Sequence, residues 1–186
     1  MSDNLPLNWL PVEREVHADC RIFKVERRRL RHPKRDIEDD FFVIKPKDWV
    51  VAIGLTASRE FVLVRQFRFG SEELTWEFPS GCREAGEDVL VAAEREMREE
   101  TGFVPKTKGI LIGENEPNPA MMENRCSYVF FELVEDFGVT DWDEHEELEV
   151  RVIPMAQAYA WARSGVISHA LMHAGLFFFQ SFQETR

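Results

Sequence analysis

An α+β fold, a mixed sheet covered on its faces by helices, is predicted by three features of the 186-residue sequence. Segments rich in β-branched and aromatic residues alternate with polar turns through the first half. A helical period appears at 87–102 and returns beyond residue 155. Two further strand-like segments, 126–134 and 148–154, lie between those helices, so strands and helices interleave as they do around a covered sheet.

The elements follow in order. DCRIFKVERRRLR (19–31) and DFFVIKPK (40–47) read as strands separated by a turn at His32 and Pro33. WVVAIGLT (49–56) and EFVLVRQFR (60–68) read as a hairpin across TASR. LTWEFPSG (74–81) is a short strand ending in a Pro/Gly turn, with Trp76 in the core. EDVLVAAEREMREETG (87–102) is a helix stopped by Gly102. CSYVFFELV (126–134) and LEVRVIP (148–154) are strands, and the acidic stretch 135–147 between them is a solvated connector. AQAYAWAR (156–163) and ISHALMHAGLFFFQSF (167–182) are helices, with His169 and His173 as packing or capping residues.

Composition narrows the partners. The net charge of −11 opposes a nucleic-acid backbone, which calls for clustered Lys and Arg. The basic run RRRLRHPKR (27–35) is expected to mark an exposed strand edge. Cys20, Cys82 and Cys126 form no CxxC pair, which fits a reducing cytoplasm rather than a disulfide framework. The N-terminal MSDNLPLNWLPVEREV lacks the pattern of a signal peptide. The most apolar stretch, near 170–179, is too short and interrupted to span a bilayer, so no membrane partner is expected.

REMREETG (95–102) crowds Glu96, Glu99 and Glu100 together, and like charges at helical neighbour spacing repel. On a helical wheel Val89, Ala92, Ala93 and Met97 form a core stripe, and Glu96 and Glu100 fall inside it. Glu99 lies at its edge near Arg95. Carboxylates turned toward a core need cations, or they take up protons or destabilise the fold. Three acids for one arginine point to a metal, and oxygen ligands beside a substrate phosphate suit Mg²⁺. Gly81 upstream permits a tight turn or close ligand approach. Glu87 enters at the helix start, either as a dipole-favoured charge or as a fourth carboxylate for the same metal.

Gly81, Glu87, Arg95, Glu96, Glu99, Glu100 and Gly102 stand at the spacing of a Nudix box, with Met97 and Phe103 in slots that are usually aliphatic. The chain therefore resembles the Nudix hydrolases. VLVRQFRFG, EFPSG and Pro119, sixteen residues past Phe103, are similar to the ADP-ribose pyrophosphatase branch. The resemblance implies a Nudix α/β/α sandwich over 49–186. It also implies an N-terminal antiparallel strand segment over 1–48 that builds a homodimer.

It further implies metal-dependent hydrolysis of a nucleoside diphosphate linked to X, with ADP-ribose giving AMP and ribose 5-phosphate. Carried over by position, Glu96 and Glu100 are the main ligands of Mg²⁺, or of Mn²⁺ in its place. Glu87, Glu99 and the Ser80 carbonyl join them. Arg95 holds the glutamates and Arg68 contacts the diphosphate. Glu123 is the candidate general base, with Glu116 and Glu114 behind it. Trp49 and Phe67 are candidates for stacking on the base. Alternatives are hydrolysis of another nucleotide sugar or dinucleotide, and a non-catalytic nucleotide-binding regulatory module. An isomerase would need a reactive cysteine, and Cys82 is expected to be buried and inert.

Overall fold

The computed structural model describes residues 5–186. Residues 1–4, part of the expected 1–48 segment and of the stretch read as lacking a signal peptide, lie outside the described residues. The chain divides into two compact units. One runs up to Lys47 and takes in Asn118–Asn124; the other comprises Asp48–Pro117 and Arg125–Arg186.

In the first unit β1 (Leu10–Asp19), β2 (Phe23–Arg31) and β3 (Glu38–Pro46) form an antiparallel sheet in that order. β1 was not expected from the sequence. Its ten residues carry Pro11 and four charges, and nearly all are exposed, so no buried alternation announces it. The basic run is also placed differently from expectation. β2 is the central strand, not an edge, and its arginines are matched by acids on both neighbours. Arg27 donates to Glu15 at 2.7 Å and Glu13 at 2.9 Å on one side, and to Asp40 at 3.0 Å on the other. Opposite charges on adjacent strands select this pairing. Asn118–Asn124 joins along β3, where Ile44 N–H donates to the Met121 carbonyl at 2.8 Å.

The second unit contains β4 (Trp49–Gly54), β5 (Glu60–Arg68), β6 (Glu73–Glu77), β7 (Ser80–Cys82), α1 (Val89–Thr101), β8 (Phe103–Pro105), β9 (Ile110–Asn115), β10 (Cys126–Phe131), β11 (Val134–Asp136), β12 (Glu149–Pro154), α2 (Met155–Ser164) and α3 (Ala170–Glu184). A mixed sheet runs β7-β4-β10-β9, with β4 parallel to β10 and the other pairs antiparallel. A second sheet runs β12-β5-β6, and β11 pairs with β8. The predicted α+β class with a mixed sheet is observed.

The hairpin expected over 49–68 does not form. β4 and β5 enter different sheets and share only the bridge Leu55↔Phe61. The cause is burial: Val50 to Ile53 are at most 2% exposed, so both faces of β4 are covered and both its edges are taken by β7 and β10. An all-apolar strand of this kind belongs in a sheet interior.

Alternation along β4 divides the core. Val51 and Ile53 pack with Phe61, Phe78, Tyr128, Phe130 and residues of α2 and α3. Val50 and Ala52 face the other way, onto Ala92, Ala93 and Met97 of α1. Helices therefore cover both faces. Trp76 is core as expected, with the Arg151 guanidinium 4.9 Å from its ring. Cys126 is buried, but Cys82 is exposed, contrary to expectation, because β7 is the edge of its sheet. Among the described residues no helix is long and apolar enough to cross a membrane.

Candidate active site

Helix α1 begins where Asp88 accepts hydrogen bonds from the N–H groups of Leu90 at 2.8 Å and Val91 at 3.4 Å. Asp88, not Glu87, is the capping residue. The helix ends at Gly102, whose φ of 74° is a left-handed conformation that glycine adopts without strain. Between these caps Ala92, Ala93, Glu96, Met97, Glu100 and Thr101 are buried. Glu96 and Glu100 therefore point into the domain, as the wheel placed them.

Strand β7 meets that face. Ser80 N–H donates to Glu100 Oε2 at 3.0 Å. A methyl group on Gly81 would overlap the Glu96 carboxylate, so only glycine leaves room for it. Arg95 gathers the other acids. It donates to Glu87 Oε1 at 3.0 Å, Glu96 Oε1 at 2.7 Å and Glu99 Oε2 at 3.1 Å, and to the Cys82 carbonyl at 3.1 Å. Burial pushes the Glu96 carboxyl up to about 7, against the pull of Arg95 and with a push from Glu99 and Glu146. Glu100 is raised well above the ordinary carboxylate range by burial first and by Glu96 second, while the Ser80 N–H opposes the shift. Glu87 is lowered by its bonds to Arg95.

Among the described residues no three His, Cys, Asp or Glu side chains converge into a metal-holding group. Glu87, Glu96 and Glu99 are turned to Arg95 instead. The residues nonetheless fit a hard divalent cation. Two carboxylates are buried at a charge cost that a cation would remove, and a cradle without a Cβ lies against one of them.

Arg68 and Glu77 join the two flanking motifs, QFR and EFPSG, in one ion pair. Arg68 donates from Nε to Glu77 Oε1 at 2.8 Å and from Nη2 to Oε2, and the Thr75 hydroxyl donates to the same carboxylate. Although burial works against both charges, the pairing holds Arg68 protonated and lowers Glu77. A cavity of about 350 Å³ is lined by Arg68, Ser80, Gly81, Trp49, His169 and Leu171. It brings three of the expected residues, Trp49, Arg68 and Ser80, to one place. His169 sits at the N-cap of α3, makes no side-chain capping bond, and lies 3.9 Å from Glu77.

Glu123 is not part of the unit that carries the box. It belongs to the first unit, where Arg28 and Lys45 bind it, the latter at 2.9 Å. Although partial burial opposes them, these cations lower its pKa and so weaken it as a base. Glu114 accepts from the Ser127 hydroxyl at 2.8 Å.

The acidic segment is exposed from 135 to 145, as expected of a solvated connector, and it is also fastened to the end of α1. Phe137 N–H donates to the Gly102 carbonyl at 3.0 Å, Asp141 N–H to Glu99 at 2.9 Å, and the Trp142 indole to Glu100 at 2.9 Å. These bonds satisfy carbonyls that a helix end leaves open. The segment then delivers Glu146 to a cleft that Arg68 also lines, where its charge adds a small upward push to Glu96 and Glu100. A turn holds it: Glu146 N–H donates to the Asp143 carbonyl at 2.9 Å, and the Glu146 carboxylate accepts from Asp143 N–H at 3.0 Å. Sequence reasoning missed Glu146. The available signal was Trp142, an indole in a run of acids.

Two tests follow from this geometry. Gly81→Ala leaves the fold intact, because the crowded atoms are the mobile end of Glu96, but it displaces that carboxylate. The stabilisation of the wild type by Mg²⁺ in thermal unfolding should then shrink or vanish in Gly81→Ala. The Arg68–Glu77 pair acts on acid stability. Because the folded pKa of Glu77 lies below its ordinary 4.5, its contribution is complete above that pH and is lost as pH falls through the folded value. Glu77→Gln should cost about 1–3 kcal/mol at pH 7, toward the low end because solvent screens Arg68, and should lose less on acidification than wild type in urea titrations.

Comparison with known proteins agrees with this arrangement. Residues 45–172 match the family described as NUDIX domain. The chain is 31% identical over 118 residues to the ADP-ribose pyrophosphatase of Escherichia coli K12, an alignment covering 60% of this chain and 56% of that protein. It is 34% identical over 120 residues to the ADP-ribose pyrophosphatase of Bacillus subtilis 168, covering 62% of this chain and 63% of that protein. The chain thus spans less than two thirds of either. It is also 27% identical over 161 residues to a CMP-5'-(N-acetyl-N-hydroxy-3-aminopropyl)phosphonate hydrolase of Streptomyces rubellomurinus, covering 86% of this chain and 76% of that one. A solved structure titled ADP compounds hydrolase shares the fold, with a TM-score of 0.82, 20% identity and 96% of both chains covered. With its box intact on α1 and most of its length matched, the chain belongs to the Nudix family.

Proposed function

We propose that this Nudix hydrolase cleaves a nucleoside diphosphate linked to a second moiety, with ADP-ribose as the first substrate to test. The observation that carries the reading is the pair of buried carboxylates, Glu96 and Glu100, set against Ser80 and Gly81, with Arg68 lining the cavity beside those two residues. The likeness to the ADP-ribose pyrophosphatases of Escherichia coli and Bacillus subtilis supports the choice of substrate.

Glu96 and Glu100 would hold Mg²⁺, or Mn²⁺, with Glu87, Glu99 and the Ser80 carbonyl as further donors. When bound, the ion neutralises diphosphate charge and acidifies a water. The chain itself positions the substrate. Arg68 presents its guanidinium to the diphosphate with one side fixed by Glu77, which keeps its plane and direction constant. Arg95 aligns Glu87, Glu96 and Glu99 so that freeing them for an ion breaks hydrogen bonds rather than moving backbone. The general base must accept a proton beside Arg68 and the box. Glu146 meets that requirement better than Glu123, because it lines one cleft with Arg68 while Glu123 is bound by two cations. The proposal includes the homodimer and cytoplasmic location expected from the sequence.

The CMP-phosphonate hydrolase among the relatives favours a second reading, in which the nucleoside is cytidine and the leaving group a phosphonate. The anhydride chemistry is the same and only the base and X differ.

Incubation with Mg²⁺ and a panel of ADP-ribose, other nucleotide sugars, dinucleotides and CMP-linked anhydrides separates these readings. AMP and ribose 5-phosphate from ADP-ribose are expected, and CMP release would move the substrate. Turnover of none would sink the hydrolase reading in favour of the nucleotide-binding module. Glu100→Gln should remain as stable as wild type without metal and lose at least about 10–100-fold in Mg²⁺ affinity. Glu146→Gln should lower kcat by roughly 10²–10⁴-fold, whereas Glu123→Gln should not. The reverse order would restore Glu123 as the base.

A further inference from the structure

Arg68 lines a second cavity in the same unit. This cleft, of about 830 Å³, is formed by the ends of β5 and β6 and by residues within 143–149. Its size is within the range of small-molecule sites. One wall is aromatic. Phe67 stands opposite Leu74 in the β5–β6 register, and Phe69 follows, edge-to-face with Phe67 at a centroid distance of 5.5 Å. Phe67, Phe69 and Leu74 are 44%, 78% and 55% exposed. Three large apolar side chains left together in water mark a contact surface rather than core. Residues 143–149 contribute Asp143, His145, Glu146, Glu147 and Glu149, and Arg65 also lines the cleft, 3.5 Å from the Glu149 carboxylate. The carboxylates accept hydrogen bonds from hydroxyl and amino groups, and they outnumber the two arginines, Arg65 and Arg68, so the lining is net acidic.

We propose that this cleft is the subsite for the nucleoside half of the substrate, with Phe69 and Phe67 as its stacking face. The proposal rests on the nucleoside-diphosphate reading above and adds to it a division of the substrate. Arg68 belongs to both cavities, so a diphosphate bound to it sends one half into the aromatic cleft and the other into the smaller cavity of Trp49 and His169. A flat base suits the exposed phenyl faces, since every base has a π-face to stack. Ribose hydroxyls and exocyclic amines suit the acidic wall. The sugar phosphate X, which carries a phosphate and no ring system to stack, does not suit it. Phe69 is thus a specificity-determining residue, and the acidic wall selects against nucleosides bearing a further phosphate.

The test uses the full-length chain with two substitutions at this exposed position. Phe69→Ala should raise KM for ADP-ribose about tenfold or more, and raise it by a larger factor than it lowers kcat. Phe69→Trp places an indole in the cleft. Its fluorescence, read as the difference from wild type with its five native tryptophans, should be quenched saturably by AMP and not by ribose 5-phosphate. Quenching by ribose 5-phosphate in place of AMP, or an unchanged KM in Phe69→Ala, would overturn the proposal. The two readings fail separately. AMP quenching in a protein that hydrolyses nothing removes the hydrolase and keeps the subsite; hydrolysis with no AMP response at position 69 removes the subsite and keeps the hydrolase.

Discussion

The second unit is organised around the burial of two carboxylates. Glu96 and Glu100 lie on the core face of α1, where an uncompensated charge costs several kcal/mol or takes up a proton. Their neighbours are explained by that constraint. Gly81 lacks the Cβ that would occupy the space of Glu96. Ser80 turns its N–H to Glu100. Arg95 draws Glu96 together with Glu87, which ties the loop before the helix to the helix itself. At the far end, Phe137, Asp141 and Trp142 bind the last carbonyls of α1 and fix the segment that carries Glu146. Caps, strand and loop thus hold one face of one helix in a state that is unfavourable without a cation.

Much of this was legible in the sequence, and the limits have physical causes. A wheel at helical period placed Glu96 and Glu100 inside the core stripe because their spacing from Ala92, Ala93 and Met97 leaves no other choice. Pairing partners were not legible in the same way. The apolar run of β4 told of burial but not of which strands would flank it, and chain proximity to β5 suggested a hairpin that the two sheets exclude. The arginines of β2 resemble an edge until the acids of β1 and β3 are placed beside them, and β1 itself has no buried face to betray it. Glu146 was missed for a related reason. Its placement comes largely from backbone N–H groups of Phe137 and Asp141, whose bonds to the end of α1 leave no trace in composition, while the Trp142 indole that makes the third bond left the one signal.

The Arg68–Glu77 pair shows how a local motif acquires meaning only in three dimensions. QFR and EFPSG are separate in sequence, and although Arg68 stands opposite Glu73 in the β5–β6 register, its side chain reaches Glu77 at the end of β6. A guanidinium presented to a diphosphate would bind it tightly in both ground and transition states, and such uniform binding lowers KM without raising kcat. A buried carboxylate on the opposite side weakens that attraction while fixing the geometry. Under the proposed function Arg68 would therefore be better suited to orient a diphosphate than to retain one. Its position between the two cavities makes the same point structurally. On the proposed division of the substrate, a group held between its two halves serves as a fixed point of reference, and selection between substrates is left to the walls of the two cavities.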